Sequence, residues 1–80
     1  MFFVYVLKSE LSGKHYYGHT QNIEVRLKQH NAGRVRSTKA YGPWQIIHKE
    51  SFELKSEAFK RELFFKSIDG YHFLKSQGII

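Results

Sequence analysis

Phe3-Val4-Tyr5-Val6-Leu7, then His15-Tyr16-Tyr17-Gly18 after a polar break at Ser9-Glu10-Leu11-Ser12-Gly13-Lys14, is the stretch on which the fold turns. In the first run Phe3, Tyr5 and Leu7 alternate with Val4 and Val6. A strand here is apolar on both faces and needs cover on both. The second run is short and aromatic and follows a turn containing one Gly, so the two runs predict a β-hairpin. The opening Met1-Phe2-Phe3 carries no basic leader and no small-residue cleavage site, and it is too short an apolar run for a membrane span. It is read as the beginning of the strand.

Working outward, Thr20-Gln21-Asn22 predicts a helix start with Thr20 or Asn22 as N-cap. Ile23, Leu27 and Val25 supply its apolar side, and Asn31-Ala32-Gly33 its stop. Arg34 to Lys39 reads as a basic loop closed by Gly42-Pro43, and Trp44 to Phe52 as a third strand. Ser56-Glu57-Ala58 opens a second helix, with Ser56 as cap, running to about Ser67. Asp69 caps a last short helix that ends near Gly78. Strand, strand, helix, strand, helix, helix predicts an α+β fold in one domain over residues 1–80, a small antiparallel sheet with helices packed on it.

The composition narrows the function classes. With 41% hydrophobic and 16% aromatic residues the chain is too apolar to be disordered. With no Cys it has neither a disulfide framework nor a thiolate metal site, and a reducing, cytoplasmic setting is expected. Thirteen Lys and Arg against seven Asp and Glu give a net charge of +6. In so small a domain that points to a polyanionic partner, with plain solubility as the other reading. The five His do not have zinc-site spacing, and no Walker-type loop or Gly-x-Gly fingerprint is present.

Chemistry shows where a polar residue interrupts an apolar pattern. At about 100° per residue, Glu62 falls inside the arc of Phe59, Leu63, Phe65 and Ala58, not opposite it. A carboxylate there is either a metal ligand or one half of an ion pair, with Lys66 one turn on or with Arg26. Arg26 and His30 are four apart and share a side of the first helix. They are either a phosphate clamp and a proton shuttle, or a snorkelling Arg and a surface His. Tyr5, Tyr16 and Tyr17 meet across the hairpin, as aromatic packing or as a phenol placed to act as a base. Gly18 either lets backbone approach a ligand closely or makes a turn.

Taken in order, these segments resemble a known family. Phe3-Val4-Tyr5 and Tyr16-Tyr17-Gly18 look like degenerate forms of the two signature tripeptides of the GIY-YIG nuclease domain. Thr20, Asn22, Arg26-Leu27, His30-Asn31 and Gly33 resemble that family's first helix. Ser37-Thr38-Lys39 and Gly42-Pro43 resemble the loop of its stand-alone, single-domain branch. Glu57-Ala58, Arg61-Glu62 and Lys66-Ser67 resemble the helix that carries its metal-binding Glu. Two departures stand out. Phe3 and Val4 replace the first Gly and Ile, and His19 stands where repair-type members carry Lys.

The resemblance implies a three-stranded antiparallel sheet flanked by helices and a metal-dependent endonuclease that hydrolyses phosphodiester bonds using Mg²⁺ or Mn²⁺. It maps Tyr5, Tyr16, Arg26, His30 and Glu62 onto the catalytic set, with Glu62 the metal ligand and Gly18 the signature glycine. Tyr16 would be the general base assisted by His30, Tyr5 would orient water or bind phosphate, and Arg26 would stabilise charge on the phosphate. Arg34, Arg36, Lys39 and His19 are expected to hold the nucleic-acid backbone. DNA is favoured over RNA as substrate, DNA repair is the expected setting, and no membrane is involved. Without an attached recognition domain, a partner protein or a homodimer would supply the targeting. The alternative is a nucleic-acid-binding module with the same cleft and little or no cleavage, and a protein-interaction domain is a remoter third reading. The five mapped side chains are expected to converge on one concave face.

Overall fold

The computed structural model describes all residues, Met1–Ile80. Its elements are β1 (Phe2–Ser9), β2 (His15–Thr20), α1 (Ile23–Asn31), β3 (Trp44–Phe52), α2 (Lys55–Phe65) and α3 (Ile68–Ser76). The three strands form one antiparallel sheet in the order β2-β1-β3, so the doubly apolar strand is the central one. Its pleat divides the core in two. Val4 and Val6 pack with Phe65 and Leu74 on the α2/α3 side. Tyr5 and Leu7 pack with Trp44, Ile23 and Leu27 on the α1 side. Opposite Val6 and Leu7, β3 carries one extra residue: Val6 faces His48 and Leu7 faces Ile46. The bulge sends Ile46 to the Leu7 side and Ile47 to the Val6 side, so both branched residues help cover β1.

The first helix starts as expected from Asn22, whose side chain accepts the Val25 N–H at 3.1 Å. It closes with the Gly33 N–H returning to the His30 carbonyl and the Arg34 N–H to that of Gln29. Two expected caps are corrected. Leu54, not Ser56, is the N-cap of α2, and the Glu57 carboxylate reaches back to accept the Leu54 N–H at 3.2 Å. Ser67, not Asp69, caps α3 by accepting the Gly70 N–H at 3.1 Å, leaving Asp69 in the first turn where a negative charge favours the helix dipole. Strand β2 also runs on through Gly18 to Thr20, so that glycine does not end the strand. No helix is long and apolar enough to cross a membrane.

Helices α2 and α3 meet where Gly70 lies against the last turn of α2, and a Cβ at that position would overlap the Phe64 carbonyl oxygen. The obstacle is backbone and cannot rotate away. Gly70→Ala should therefore destabilise by about 3 kcal/mol or more, measured by urea unfolding. A loss below about 1 kcal/mol would show that this helix crossing yields easily.

Candidate functional site on both flanks of the edge strand

The α1 side holds a buried polar chain. Tyr5, on the central strand, points its hydroxyl across the sheet to α1 and donates to His30 Nε2 at 2.9 Å. His30 is only 1% exposed, so it is not a surface histidine. Its Nδ1 lies 2.8 Å from Thr38 Oγ1, and Thr38 Oγ1 lies 3.3 Å from the Val35 carbonyl. A carbonyl only accepts, which fixes the direction. Thr38 donates to Val35, His30 Nδ1–H donates to Thr38, and Nε2 is left to accept from Tyr5. Tyr16 is half-buried beside this chain, its ring edge-on to His30 at 4.8 Å and to Trp44 at 6.5 Å.

Burial sets the protonation of the chain. It pushes the Tyr5 phenol up to about 12; the Arg26 guanidinium beside it pulls the other way, while Tyr16 and Glu62 add to the rise. Burial, reinforced by the Arg26 charge, lowers His30 to about 4. At neutral pH Tyr5 is a protonated donor and His30 a neutral imidazole. With 2% of its surface exposed, Tyr5 turns its hydroxyl to His30 and not to solvent. Arg26 itself is half-buried and spends one amine on Gln29 Oε1 at 3.0 Å.

The α2 side holds the carboxylate. Ala58, Glu62 and Phe65 form the buried stripe of α2, with Glu62 8% exposed, so its place inside the packed arc is as expected. Phe59 and Leu63, expected in the same arc, lie outside it at 46% and 50% exposure. Glu62 Oε1 accepts from His19 Nδ1 at 2.6 Å and Oε2 from Lys66 Nζ at 2.8 Å. Burial opposes ionisation, but these two donors outweigh it and hold the carboxyl below its usual range. The ion-pair partner is thus Lys66 and not Arg26. No three ligating side chains cluster anywhere, so the protein offers a cation this one carboxylate. That fits Mg²⁺, which keeps most of its waters and shares substrate phosphate oxygens. Lys66 is half-exposed.

Pleat parity puts Tyr5, Tyr16 and Gly18 on the α1 side, and Val4, His19 and so Glu62 on the α2 side. The mapped residues thus reach the edge strand β2 from both sides of the sheet. Gly18 is where the strand between them is thinnest. A Cβ there would sit 2.5 Å from the Tyr5 hydroxyl oxygen and 2.7 Å from Cζ. What approaches Gly18 closely is the Tyr5 ring of the same chain, neither a ligand nor a turn. The Glu62 charge is still felt at Tyr5.

Arg34, Arg36 and Lys39 are exposed and none pairs with a carboxylate. Their loop is tied to the site by Thr38, which is fully buried between exposed neighbours. Sequence reasoning missed the role of Thr38, because a hydroxyl in a charged loop carries no periodic signal. It also missed a second cluster. Arg61 Nε donates to Glu50 Oε1 at 2.8 Å and His48 Nε2 to Glu50 Oε2 at 2.8 Å, with the guanidinium stacked over Phe64, Phe65 and Phe73. This cluster is half-buried.

A three-stranded antiparallel sheet with helices on both faces, carrying a tyrosine–histidine pair and a lone carboxylate about its edge strand, is the fold of a small GIY-YIG-like domain. Residues 1–69 match the family model described as the GIY-YIG catalytic domain, and the chain belongs to that family. Its relatives include a UPF0213 protein of Listeria welshimeri, 43% identical over 67 residues that cover 82% of this chain and 73% of that protein. A UPF0213 protein of Staphylococcus saprophyticus is 36% identical over 74 residues, covering 91% and 89%. The solution NMR structure of a UPF0213 protein from Bacillus halodurans aligns with a TM-score of 0.57 at 30% identity, covering 96% of this chain and 85% of that one.

Two outcomes follow from the buried chain. His30 titrates near 6.5 when unfolded and at about 4 in the fold. The unfolded state therefore binds the proton first. Stability from this group is complete above pH 6.5 and falls as pH drops towards 4, by about 2 kcal/mol between pH 7 and pH 5. Urea unfolding across that range should show the loss in the wild type and lack it in His30→Gln; parallel curves for the two would contradict the assignment. Thr38→Val removes the acceptor of the His30 Nδ1–H and should destabilise by about 1–3 kcal/mol. The ¹⁵N shifts of the His30 ring should report the Nδ1–H tautomer in the wild type and its loss in the variant.

Proposed function

We propose that the chain is a metal-dependent endonuclease that hydrolyses a phosphodiester lying along the open edge of β2. The observation that carries this reading is the arrangement of Tyr16, His30 and Arg26 on one flank of a strand thinned at Gly18, with the buried Glu62 carboxylate on the other. Membership of the GIY-YIG family supports it.

In this reading Tyr16 is the working phenol. It is the tyrosine of the pair with exposed surface; its own proton passes first to solvent, and as the phenolate it takes the proton of the attacking water. His30, with both ring nitrogens engaged, fixes Tyr16 by ring contact and gives it no proton relay. Arg26 stabilises charge developing on the phosphate. Glu62 would hold Mg²⁺ or Mn²⁺ in place of the Lys66 ammonium, and the ion would supply charge neutralisation for the hydrolysis. Arg34, Arg36, Lys39 and His19 grip backbone phosphates without reading bases, so DNA is engaged with little sequence choice. Targeting then falls to a partner protein or a second copy, in a reducing cytoplasm.

The second reading, a binding module with little cleavage, is favoured by one observation: both Glu62 oxygens are already satisfied by protein donors. Glu62→Gln separates the two. If the enzyme reading holds, cleavage of a panel of nicked, branched and single-stranded DNA and RNA with Mg²⁺ or Mn²⁺ should fall at least about 100-fold. Binding should survive and weaken steeply with salt in wild type and variant alike. The half-exposed Lys66 rehydrates, so stability should change by no more than about 1 kcal/mol. No metal-dependent cleavage in the wild type, or a variant as active as the wild type, would leave the binding module as the function.

A further inference from the structure

The outer side of α2 carries a feature that neither packing nor hydrolysis uses. Phe59 lies three residues before Glu62 and is 46% exposed. The helix buries itself through Ala58, Glu62 and Phe65 and has no need of it. The Phe59 ring meets the His19 imidazole edge-on at 5.6 Å, and His19 in turn donates to Glu62. Phe59, His19, Lys55 and Ser56 line an open cleft of about 500 Å³. A smaller depression of about 200 Å³ continues it from His19 and Lys55 towards Thr20 and Gln21 along the end of β2.

We propose that this cleft takes one unpaired nucleobase of the substrate, stacked on Phe59, with the adjoining phosphate held by Lys55. The substrate class is then nucleic acid with an unstacked nucleotide beside the scissile bond, as in a single strand, flap or branch, and not intact duplex. The inference rests on the nucleic-acid reading above and deepens it. Three features favour a base as the occupant. An exposed aromatic ring beside a lysine is the arrangement that holds single-stranded nucleic acid, because every base has a π-face and every linkage a negative charge. Bases in a duplex have those faces covered by their neighbours, so the platform is useful only to an unstacked one. The cleft is also continuous, through His19, with the carboxylate to which the chemistry is assigned, so a base on Phe59 has its own phosphate near Glu62. The ring offers no hydrogen bonds, and so no preference among bases.

The test is equilibrium binding in EDTA at low salt, by fluorescence anisotropy. Single-stranded, flapped and fully duplex DNA of matched length are compared on wild type, Phe59→Ala and Phe59→Tyr. Phe59→Ala should lose about 10- to 100-fold on single-stranded and flapped DNA, with less than a twofold change on duplex, and Phe59→Tyr should retain wild-type affinity. An exposed ring is removed, so melting curves should coincide. Equal losses on all three DNAs, or none, would overturn the inference while leaving nucleic-acid binding in place. Failure of the wild type to bind any of them would remove the underlying reading as well. Sedimentation showing that Phe59→Ala dissolves a dimer would identify the cleft as a contact between copies and overturn the base assignment.

Discussion

Strand β1 has no solvent side, and the rest of the structure is arranged to satisfy that. Val4 and Val6 require cover on one face, Tyr5 and Leu7 on the other, so a chain of 80 residues builds two half-cores with helices above and below. The cover for one face includes a phenol hydroxyl, and a buried hydroxyl without a partner is unfavourable by kilocalories. His30 meets that need, Thr38 meets the need His30 then creates, and the Val35 carbonyl ends the series. The Trp44 indole N–H donates to the Thr38 carbonyl, and the Asn31 side chain clasps the Trp44 backbone at both N–H and C=O. One hydroxyl in the central strand thus fixes the end of α1, the basic loop and the start of β3 to one another. Removing an inner member leaves its neighbour buried and unpaired, which is why such chains act as units.

The same constraint explains the protonation states. A histidine surrounded by protein beside a guanidinium stays neutral, and a buried phenol stays protonated. Tyr5 and His30 therefore form a rigid support, and the groups beside them that still meet water are Tyr16 and Arg26. The Glu62 side works by the opposite logic. Its carboxylate is buried yet ionised, because Lys66 and His19 compensate it. A half-exposed lysine is a weak and replaceable counter-ion. A carboxylate held charged by such a partner keeps its charge even if the lysine leaves it for solvent.

The strands and the order of elements were legible because alternation and turn residues are redundant signals, each repeated over several positions. Trp44 to Phe52 was read to the residue. Helix caps were less legible. Ser56 and Ser67 are both serines near a helix start, and only the backbone path decides which one meets a free N–H. Glu62 stood out because a carboxylate contradicts its surroundings, whichever partner it takes. The apolar arc around it was drawn too wide, since Phe59 and Leu63 share its periodicity and yet face water. The assignment of the two flanks was hidden. The expectation of one shared face followed from the motif order, which says nothing about pleat parity, and parity separates Tyr16 from His19 although they are three residues apart.

That separation bears on how so small a domain handles a polyanion. Of its thirteen lysines and arginines only Arg61 and Lys66 pair with a carboxylate, so almost all of the positive charge is left to solvent. Arg26 lies on one flank of β2 and Lys55 and Lys66 on the other, and the strand between them is one residue thick. Charge divided in this way suits a backbone that wraps an edge better than one that lies flat in a groove. A stiff duplex resists such a turn, at an energy that rises with the bend. A single strand is far more flexible and makes such a turn at lower cost. The division of charge across the sheet edge is thus a ground for the proposed preference for a flexible strand that does not depend on the aromatic platform.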